Sequence, residues 1–327
     1  REVLEVMMRL PKFRYLAPKS TADAVKMLAE EGPEAMVVAG GTDLYPNMKR
    51  RHQTPKTLIG LRGVKELRGI NGTHLGPNTT LTEIEETSDI EKNYSALWKA
   101  VHSISTPILR NMGTIGGNVL LDTRCTYYNQ NYEWRRGINF CMKCDGDTCW
   151  VATSSKICLA VNSSDSAPVL CALGAKLKFE SVEGERVVEA KDLYQKDGIH
   201  YIKKQPNELL TDIELPAVNG WKATYWKLRR REAFDFPVMG VASVLSMDGD
   251  TVKDAKIYLG AVASSPIEAV DSQNAIIGKK LTDEVVAEAA QAAFKPAKPM
   301  DNTDYAFHWR KEMVKHYVKG TLEELRG

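Results

Sequence analysis

All six cysteines of this 327-residue chain fall between Cys125 and Cys171. No other feature narrows the possible folds as much, because a disulfide-stapled secreted protein spreads its cysteines along a much shorter chain. In a reducing compartment, clustering of this kind points to metal. From Cys125 the gaps are fifteen residues to Cys141, two to Cys144, four to Cys149 and eight to Cys158, and Cys171 stands apart in the apolar stretch VLCALGA. A 4Fe-4S cluster or a tetrahedral structural zinc takes four thiolates, and the intervening YYNQNYEWRRG and DGDTC are loop-like enough to wrap around one. Five candidates compete for four places. Spacing alone favours the C-x-x-C pair Cys141 and Cys144, whereas Cys171 reads as a core thiol in an apolar hairpin, since free cysteine packs as a small hydrophobe. Arg124, Arg135 and Arg136 share the stretch; their guanidinium groups either offset thiolate charge or face solvent on a long loop.

Glycines lead into the cysteines. A pyrophosphate needs several backbone N–H donors converging without side chains in the way, which glycine turns beside strand ends or helix starts provide. Two turns qualify: Gly40-Gly41-Thr42, after the apolar run Ala35 to Ala39, and Gly113-Thr114-Ile115-Gly116-Gly117-Asn118. Either alone is weak, because most glycine turns only solve a backbone problem. Thr42, Thr114 and Asn118 add short hydrogen-bonding side chains. No Walker loop or dinucleotide G-x-G-x-x-G is present.

Around these motifs the pattern alternates strands and helices. Ser20 caps a helix that Gly32-Pro33 ends, and TLIGL from Thr57 reads as a strand. A hairpin is expected at Asn71-Gly72, a capping box at Thr82 with Glu85, and a helix over roughly Tyr94 to Ile104. A further hairpin turns at Glu183-Gly184, and a boundary is expected between Pro206 and Gly220. Beyond it, DFPVMGVASVLSMDGDTVKDAKIYLGAV predicts two strands joined by Asp-Gly-Asp. LTDEVVAEAAQAAF and TDYAFHWRKEMVKHYV predict amphipathic helices, so this end is α+β.

Forty-four basic against forty-two acidic residues leave a formal charge of +2, which argues against a nucleic-acid surface or a polybasic membrane anchor. The short runs Lys49-Arg50-Arg51 and Arg229-Arg230-Arg231 read first as solvated faces or loops, with an anion site as the alternative. No apolar run approaches the roughly 18 residues of a membrane span, and REVLEVMMRL is unlike a signal peptide, so the expected compartment is the cytoplasm. The six histidines are scattered and no carboxylate pair or Ser-His-Asp set stands out, so no catalytic residue is assigned on this chain.

VVAGGTDLYPNMKRR, GTIGGNV, SDSAPVL and ELLTDIELP, in this order, resemble the FAD-binding subunits of the molybdenum hydroxylase, or xanthine oxidase, family over nearly the whole chain. The resemblance implies a two-subdomain, PCMH-type FAD-binding domain over residues 9–218 (subdomains about 9–62 and 63–218), then a domain over 219–327 like the C-terminal part of CO dehydrogenase flavoproteins. It implies that Val38, Ala39, Gly40, Gly41, Thr42, Asp43 and Leu44, with Thr114, Gly116, Gly117 and Asn118, hold the FAD diphosphate and ribityl. Asp165 matches an aspartate at the adenosine end; Leu210 and Lys227 match residues near the isoalloxazine, although spacing after Lys227 departs from the family by about a residue. Thr80 and Leu81 are further candidates for the flavin pocket. DTRCTYYNQ, CMKCDGDTC and KIC are similar to the branch of 4-hydroxybenzoyl-CoA reductase beta subunits, in which an inserted loop, here about 122–162, carries a 4Fe-4S cluster.

That branch implies Cys125, Cys141, Cys149 and Cys158 as ligands and leaves Cys144 over, against the spacing argument. It also implies partners: a large molybdenum-cofactor subunit, a small 2Fe-2S subunit, and ferredoxin as electron donor. A molybdenum aldehyde oxidoreductase with the same kind of subunit is the nearest alternative, and a zinc-stabilised binding module the alternative from another class.

Overall fold

The computed structural model describes residues 8–327. The opening stretch, read above for a signal peptide, lies outside the described residues up to residue 7. Near the N-terminus, β1 (Arg14–Leu16), α1 (Thr21–Glu31), β2 (Ala35–Val38), α2 (Leu44–Lys49) and β3 (Thr57–Gly60) form a small parallel unit of sheet order β1-β3-β2. Ser20 starts α1 by accepting from the Asp23 N–H at 3.1 Å, and Gly32 ends it at φ 65°, a conformation that favours glycine. Parallel pairing sets Val38 opposite Gly60, so β2 delivers the first glycine turn at the C-terminal end of the sheet.

The second unit begins with the hairpin β4 (Ile70–Asn71) and β5 (His74–Leu75), followed by α3 (Leu81–Glu85), α4 (Ser88–Asn93), α5 (Ser95–Ser103), α6 (Pro107–Arg110) and α7 (Ile115–Val119). The capping box falls two residues earlier than the sequence suggests. Thr80 accepts from the Glu83 N–H at 3.2 Å while Glu83 accepts from the Thr80 N–H at 2.8 Å, and Glu85 instead receives the Arg110 guanidinium at 2.6 Å. After α8 (Tyr132–Gly137), α9 (Ser166–Leu173) runs through SAPVLCAL. Cys171 is therefore in a helix and not in a hairpin. It is still buried, because every residue of α9 is buried, and a helix enclosed on all sides loses the polar stripe by which helix is told from strand.

Strands β6 (Lys176–Ser181) and β7 (Gly184–Glu189), the short α10 (Ala190–Leu193) and β8 (Leu209–Glu214) complete a sheet of order β4-β5-β8-β6-β7. The last sheet is antiparallel, with β9 (Lys222–Leu228), β10 (Met239–Asp248), β11 (Thr251–Gly260) and β12 (Ile267–Glu268) in the order β12-β11-β10-β9. Helices α11 (Val270–Ile276), α12 (Asp283–Phe294) and α13 (Phe307–Arg326) follow.

This sheet is buried on both faces, which explains why β10 reads as a nearly unbroken apolar run. Ala242 and Val244 face the core of the second unit with Tyr225 and Tyr258. Val241 and Leu245 face α11 to α13 and meet Ile276, Val286, Val314 and Leu322. Each such side chain contributes roughly 1.5–3 kcal/mol on burial, so the sheet is fixed between two layers. It presents β9 and the following loop to the second unit, whose α5 and α9 pack against it.

Candidate functional site

The two glycine turns, unconnected in sequence, abut in the fold. A Cβ on Gly40 would stand 1.8 Å from the Met112 carbonyl oxygen and 3.1 Å from the Gly113 Cα. Backbone oxygen cannot yield by that much, so only glycine allows β2 to meet the second turn. Gly116 is confined in the same way: its Cβ would lie 2.6 Å from the Pro77 side chain and 2.7 Å from the Pro77 carbonyl.

Between the turns opens a cavity of about 500 Å³. Its wall includes Val38, Ala39, Gly40, Gly41, Thr42, Asp43 and Leu44 from the first turn, Thr114, Gly116, Gly117 and Asn118 from the second, and Asp165 and Leu210. Of the sequence-predicted cofactor residues, Lys227 is off the wall but tied to it: its Nζ donates to Asp165 Oδ2 at 2.9 Å and to the Ser103 carbonyl at 2.9 Å. Asp165 is 2% exposed and also accepts from the Tyr225 hydroxyl at 2.8 Å. It occupies the N-cap position of α9 without capping it, so its carboxylate serves β9. Leu81 lines the cavity, whereas Thr80 is spent on the α3 cap.

The turns differ in what they leave free. In the second, the N–H groups of Ile115, Gly116 and Asn118 donate to the Thr79, Pro77 and Thr114 carbonyls, and that of Gly117 donates to Thr114 Oγ1 at 3.2 Å. Asn118 Oδ1 is taken as well, accepting from the Ser164 and Ser166 hydroxyls at 2.9 and 2.7 Å. In the first turn no partner among the described residues takes the N–H groups of Gly40, Gly41 or Thr42. The open donors therefore sit mainly on the first turn; the second keeps only the Thr114 N–H without a partner among the described residues and otherwise supplies wall and shape.

Sequence reasoning missed several wall residues: Arg50, Asp122, Arg124, Tyr201, Lys204 and the Phe234-Asp235-Phe236 loop. The arginine runs are not simply solvated, because Arg50 lines the cavity and Arg229 donates to the Ser103 carbonyl at 3.0 Å. Arg124 bridges Asp43 at 3.0 Å and lies 4.0 Å over the Phe236 ring. Burial raises the Asp43 pKa above the usual carboxylate value, the Arg124 charge opposes this and the Asp122 carboxylate adds to it. Burial also lowers Lys204 to about 8. No local sequence signal marks these groups, since they reach the wall from four separate segments of the chain.

Arg124 is followed at once by Cys125, so the cysteine loop begins at the cavity wall. Cys125, Cys141, Cys149 and Cys158 are buried free thiols, and Cys144 is half-buried. Cys125, Cys141 and Cys158 pack with Tyr128 and Ala160. Burial pushes Cys125 up to about 12, and the charges of Cys158 and Cys141 add to the shift. Cys158 rises to about 11 for the same first reason, with Cys149 and Cys141 again adding. Cys158 thus adjoins the other three, and Cys125 adjoins Cys141. Cys144 packs against the same cluster, but its sulfur accepts from Arg135 Nη1 at 3.0 Å and lies 3.3 Å from Asp145 Oδ2. Arg135 is fully buried, and Arg136 is exposed. Among the described residues, no group of three or more His, Cys, Asp or Glu side chains is placed to hold a metal ion.

Comparison with known proteins identifies the arrangement. Residues 11–218 match the FAD binding domain in molybdopterin dehydrogenase, and residues 223–325 match the CO dehydrogenase flavoprotein C-terminal domain. The chain is 28% identical over 319 residues to the glyceraldehyde dehydrogenase medium chain of Sulfolobus acidocaldarius, covering 96% of this chain and 99% of that one. It is 30% identical over 296 residues to the aldehyde oxidoreductase FAD-binding subunit of Escherichia coli, covering 86% of this chain and 92% of that one. A chain of the Cu,Mo-CO dehydrogenase in its cyanide-inactivated form superposes with a TM-score of 0.80 at 27% identity, over 98% of this chain and 99% of that one. No helix among the described residues is long and apolar enough to cross a membrane. The fold is a PCMH-type FAD-binding domain followed by a CO dehydrogenase flavoprotein C-terminal domain, and the chain belongs to the FAD-binding medium subunits of the molybdenum hydroxylase family, as an oxidoreductase subunit.

Proposed function

We propose that this chain carries electrons between a 4Fe-4S cluster and FAD inside a molybdenum enzyme of the 4-hydroxybenzoyl-CoA reductase kind. In this reading the domains divide at 9–218 and 219–327. FAD lies in the glycine-lined cavity, with its diphosphate on the open N–H groups of Gly40 to Thr42 and its charge balanced by wall cations such as Arg50, Arg124 and Lys204. Thr114, Gly116, Gly117 and Asn118 shape the wall beside it, and Asp165, Leu210 and Lys227 fix the opposite end. Once bound, the flavin exchanges electrons singly or in pairs; the protein positions it and excludes solvent.

The cluster is assigned to Cys125, Cys141, Cys149 and Cys158, with Cys144 outside it. One observation carries this assignment: Cys125, Cys141 and Cys158 are buried in one cluster, Cys149 is buried and adjoins Cys158, and the loop holding them starts at the cavity wall. Four soft thiolate donors match an iron–sulfur cluster, which is wider than a single ion. The fifth thiol already has a guanidinium for a partner. Electrons would enter from ferredoxin, pass through the cluster and FAD to a small 2Fe-2S subunit and a large molybdenum subunit, and there reductively remove the phenolic hydroxyl of an aromatic acyl-CoA as water. The compartment is then the cytoplasm.

The test is anaerobic purification, with iron, zinc and FAD measured on one sample, followed by ferredoxin-driven turnover of the assembled enzyme. One FAD and about four irons per chain are expected; FAD without iron overturns the cluster. The 30% identity to an aldehyde oxidoreductase subunit favours a second reading, in which electrons leave a molybdenum subunit through this chain. In that case an aldehyde reduces the flavin and ferredoxin does not.

A further inference from the structure

Lys143 lies between Cys141 and Cys144, yet its side chain is only 7% exposed. Its Nζ donates to Asp122 Oδ1 at 2.9 Å, Thr123 Oγ1 at 2.9 Å and the Gly198 carbonyl at 2.6 Å. These use all three ammonium protons. The Tyr128 and Tyr201 rings stand 4.9 and 5.4 Å away. The other Asp122 oxygen accepts from the Tyr128 hydroxyl at 3.2 Å and from Gln53 Nε2 at 3.3 Å.

These partners belong to two sites. Asp122, Gln53 and Tyr201 line the glycine cavity, whereas Tyr128 packs with Cys125, Cys141 and Cys158. Gly198 extends the link: its N–H donates to the Cys158 carbonyl at 2.8 Å, and a Cβ on it would meet Cys158 Sγ at 2.9 Å. A buried ion pair is a poor means of stabilising a fold, because well-packed apolar groups do as well or better. Its place between the two sites calls for another account.

We propose that the Lys143–Asp122 pair sets the balance between the two redox sites, with Lys143 as a fixed positive charge beside the Cys158 corner of the cluster and Asp122 as its counter-charge on the flavin wall. The proposal rests on the reading above that the thiols hold an iron–sulfur cluster. Cluster potentials respond to net charge and hydrogen bonding around the sulfurs. A buried cation favours the reduced, more negative cluster, and charges act strongly where water is excluded. Lys143 is thus a positioning residue that touches no cofactor-bearing sulfur and acts through charge.

The experiment is an EPR-monitored redox titration of the anaerobically purified holoprotein, with iron and FAD content measured alongside. Lys143→Met is expected to make the cluster harder to reduce by about tenfold in the one-electron equilibrium, roughly 59 mV. Lys143→Arg restores the wild-type value, and Asp122→Asn shifts the midpoint in the opposite direction because the ammonium is left uncompensated. If the variants hold iron but titrate like wild type, the proposal falls and the cluster reading stands. Shifts of the same sign in Lys143→Met and Asp122→Asn also overturn it, since loosening of the loop explains them. Where Lys143→Met fails to take up iron, the Asp122→Asn midpoint decides: movement upward supports the proposal and no movement overturns it. A wild-type protein without an iron–sulfur signal brings down the cluster reading and this one together.

Discussion

The glycine cavity and the cysteine loop adjoin each other but are made differently. The cavity is bounded by the ends of regular elements, and its shape depends on places where a single Cβ is too large. The cysteine-bearing segment 122–162 contains one short helix, α8, and is held by polar ties. Cys125 donates its N–H to Asn129 Oδ1 at 2.9 Å, Arg135 reaches the Arg50 carbonyl at 3.1 Å, and Thr126 donates its N–H to the Asn302 carbonyl at 2.9 Å. Steric exclusion in the scaffold shapes the first region, and buried charge and hydrogen bonds hold the second. The two should therefore fail independently.

The largest effect belongs to Gly40→Val. With a backbone carbonyl 1.8 Å from the new Cβ, the first turn must withdraw from the second and the cavity must open. Bound FAD, read as flavin released on denaturation, is expected to fall by at least about tenfold, equivalent to ~1.4 kcal/mol and within the usual cost of overpacking. Iron is expected to remain. If iron and flavin leave together, the two regions are one cooperative unit. On the proposed cluster, Cys149→Ser is expected to invert this pattern, with iron falling from about four per chain to nearly none while FAD stays. Cys144→Ser keeps its iron, and a Cys144 variant that loses iron exchanges the roles of the two cysteines.

Arg135→Met should have a smaller effect, confined to the loop. Arg135 is fully buried with its Nε unpartnered, so the change removes bonds to Cys144 and Arg50 while relieving one unsatisfied donor. A net loss of about 1–2 kcal/mol is expected, seen as faster hydrogen exchange over 126–150 with no change in the sheet of β9 to β12. Equal acceleration in both places would show that the loop is coupled to the core.

How much of this was legible in the sequence follows from the same contrast. Ser20, the TLIGL strand, the turn at Gly184 and the long hairpin of β10 and β11 were readable because period and turn chemistry are local. Cys171 was placed in a strand because α9 is buried all round and carries no helical stripe. Each glycine turn was weak as a word, and it is their contact, Gly40 against Met112, that makes a cavity. Of the two turns, only the structure shows which one keeps its N–H groups free. Lys143 carries no signal of its own in the sequence; its burial depends on Asp122 and Gly198, far apart in sequence. Local chemistry was visible in the chain, and what was missed depended on pairing between distant loops.

The smallest expected effect lies at the seam between the first unit and the cysteine loop, where His52 stands against Tyr128 with ring centroids 4.5 Å apart. Its Nε2 is 3.0 Å from the Gln130 carbonyl, and its Nδ1 has no partner among the described residues. Burial lowers its pKa from 6.5 to about 4; the bond to Gln130 opposes this, and the charges of Arg135, Arg50 and Arg124 add to it. In the unfolded chain the imidazole takes a proton near the ordinary value, whereas in the folded chain it resists until the pH is much lower. The contribution is therefore complete above about pH 6.5 and is lost as pH falls toward about 4, since only the unfolded state binds the proton in that interval. A fully enclosed ring would lose about 3 kcal/mol; screening at a partly exposed one reduces this to on the order of 1 kcal/mol. His52→Phe keeps the ring contact and removes the titration, so urea midpoints measured between pH 7 and pH 4.5 should fall less steeply for the variant than for wild type. Parallel slopes would mean that carboxylates elsewhere govern acid sensitivity and that the seam between the two regions is indifferent to pH.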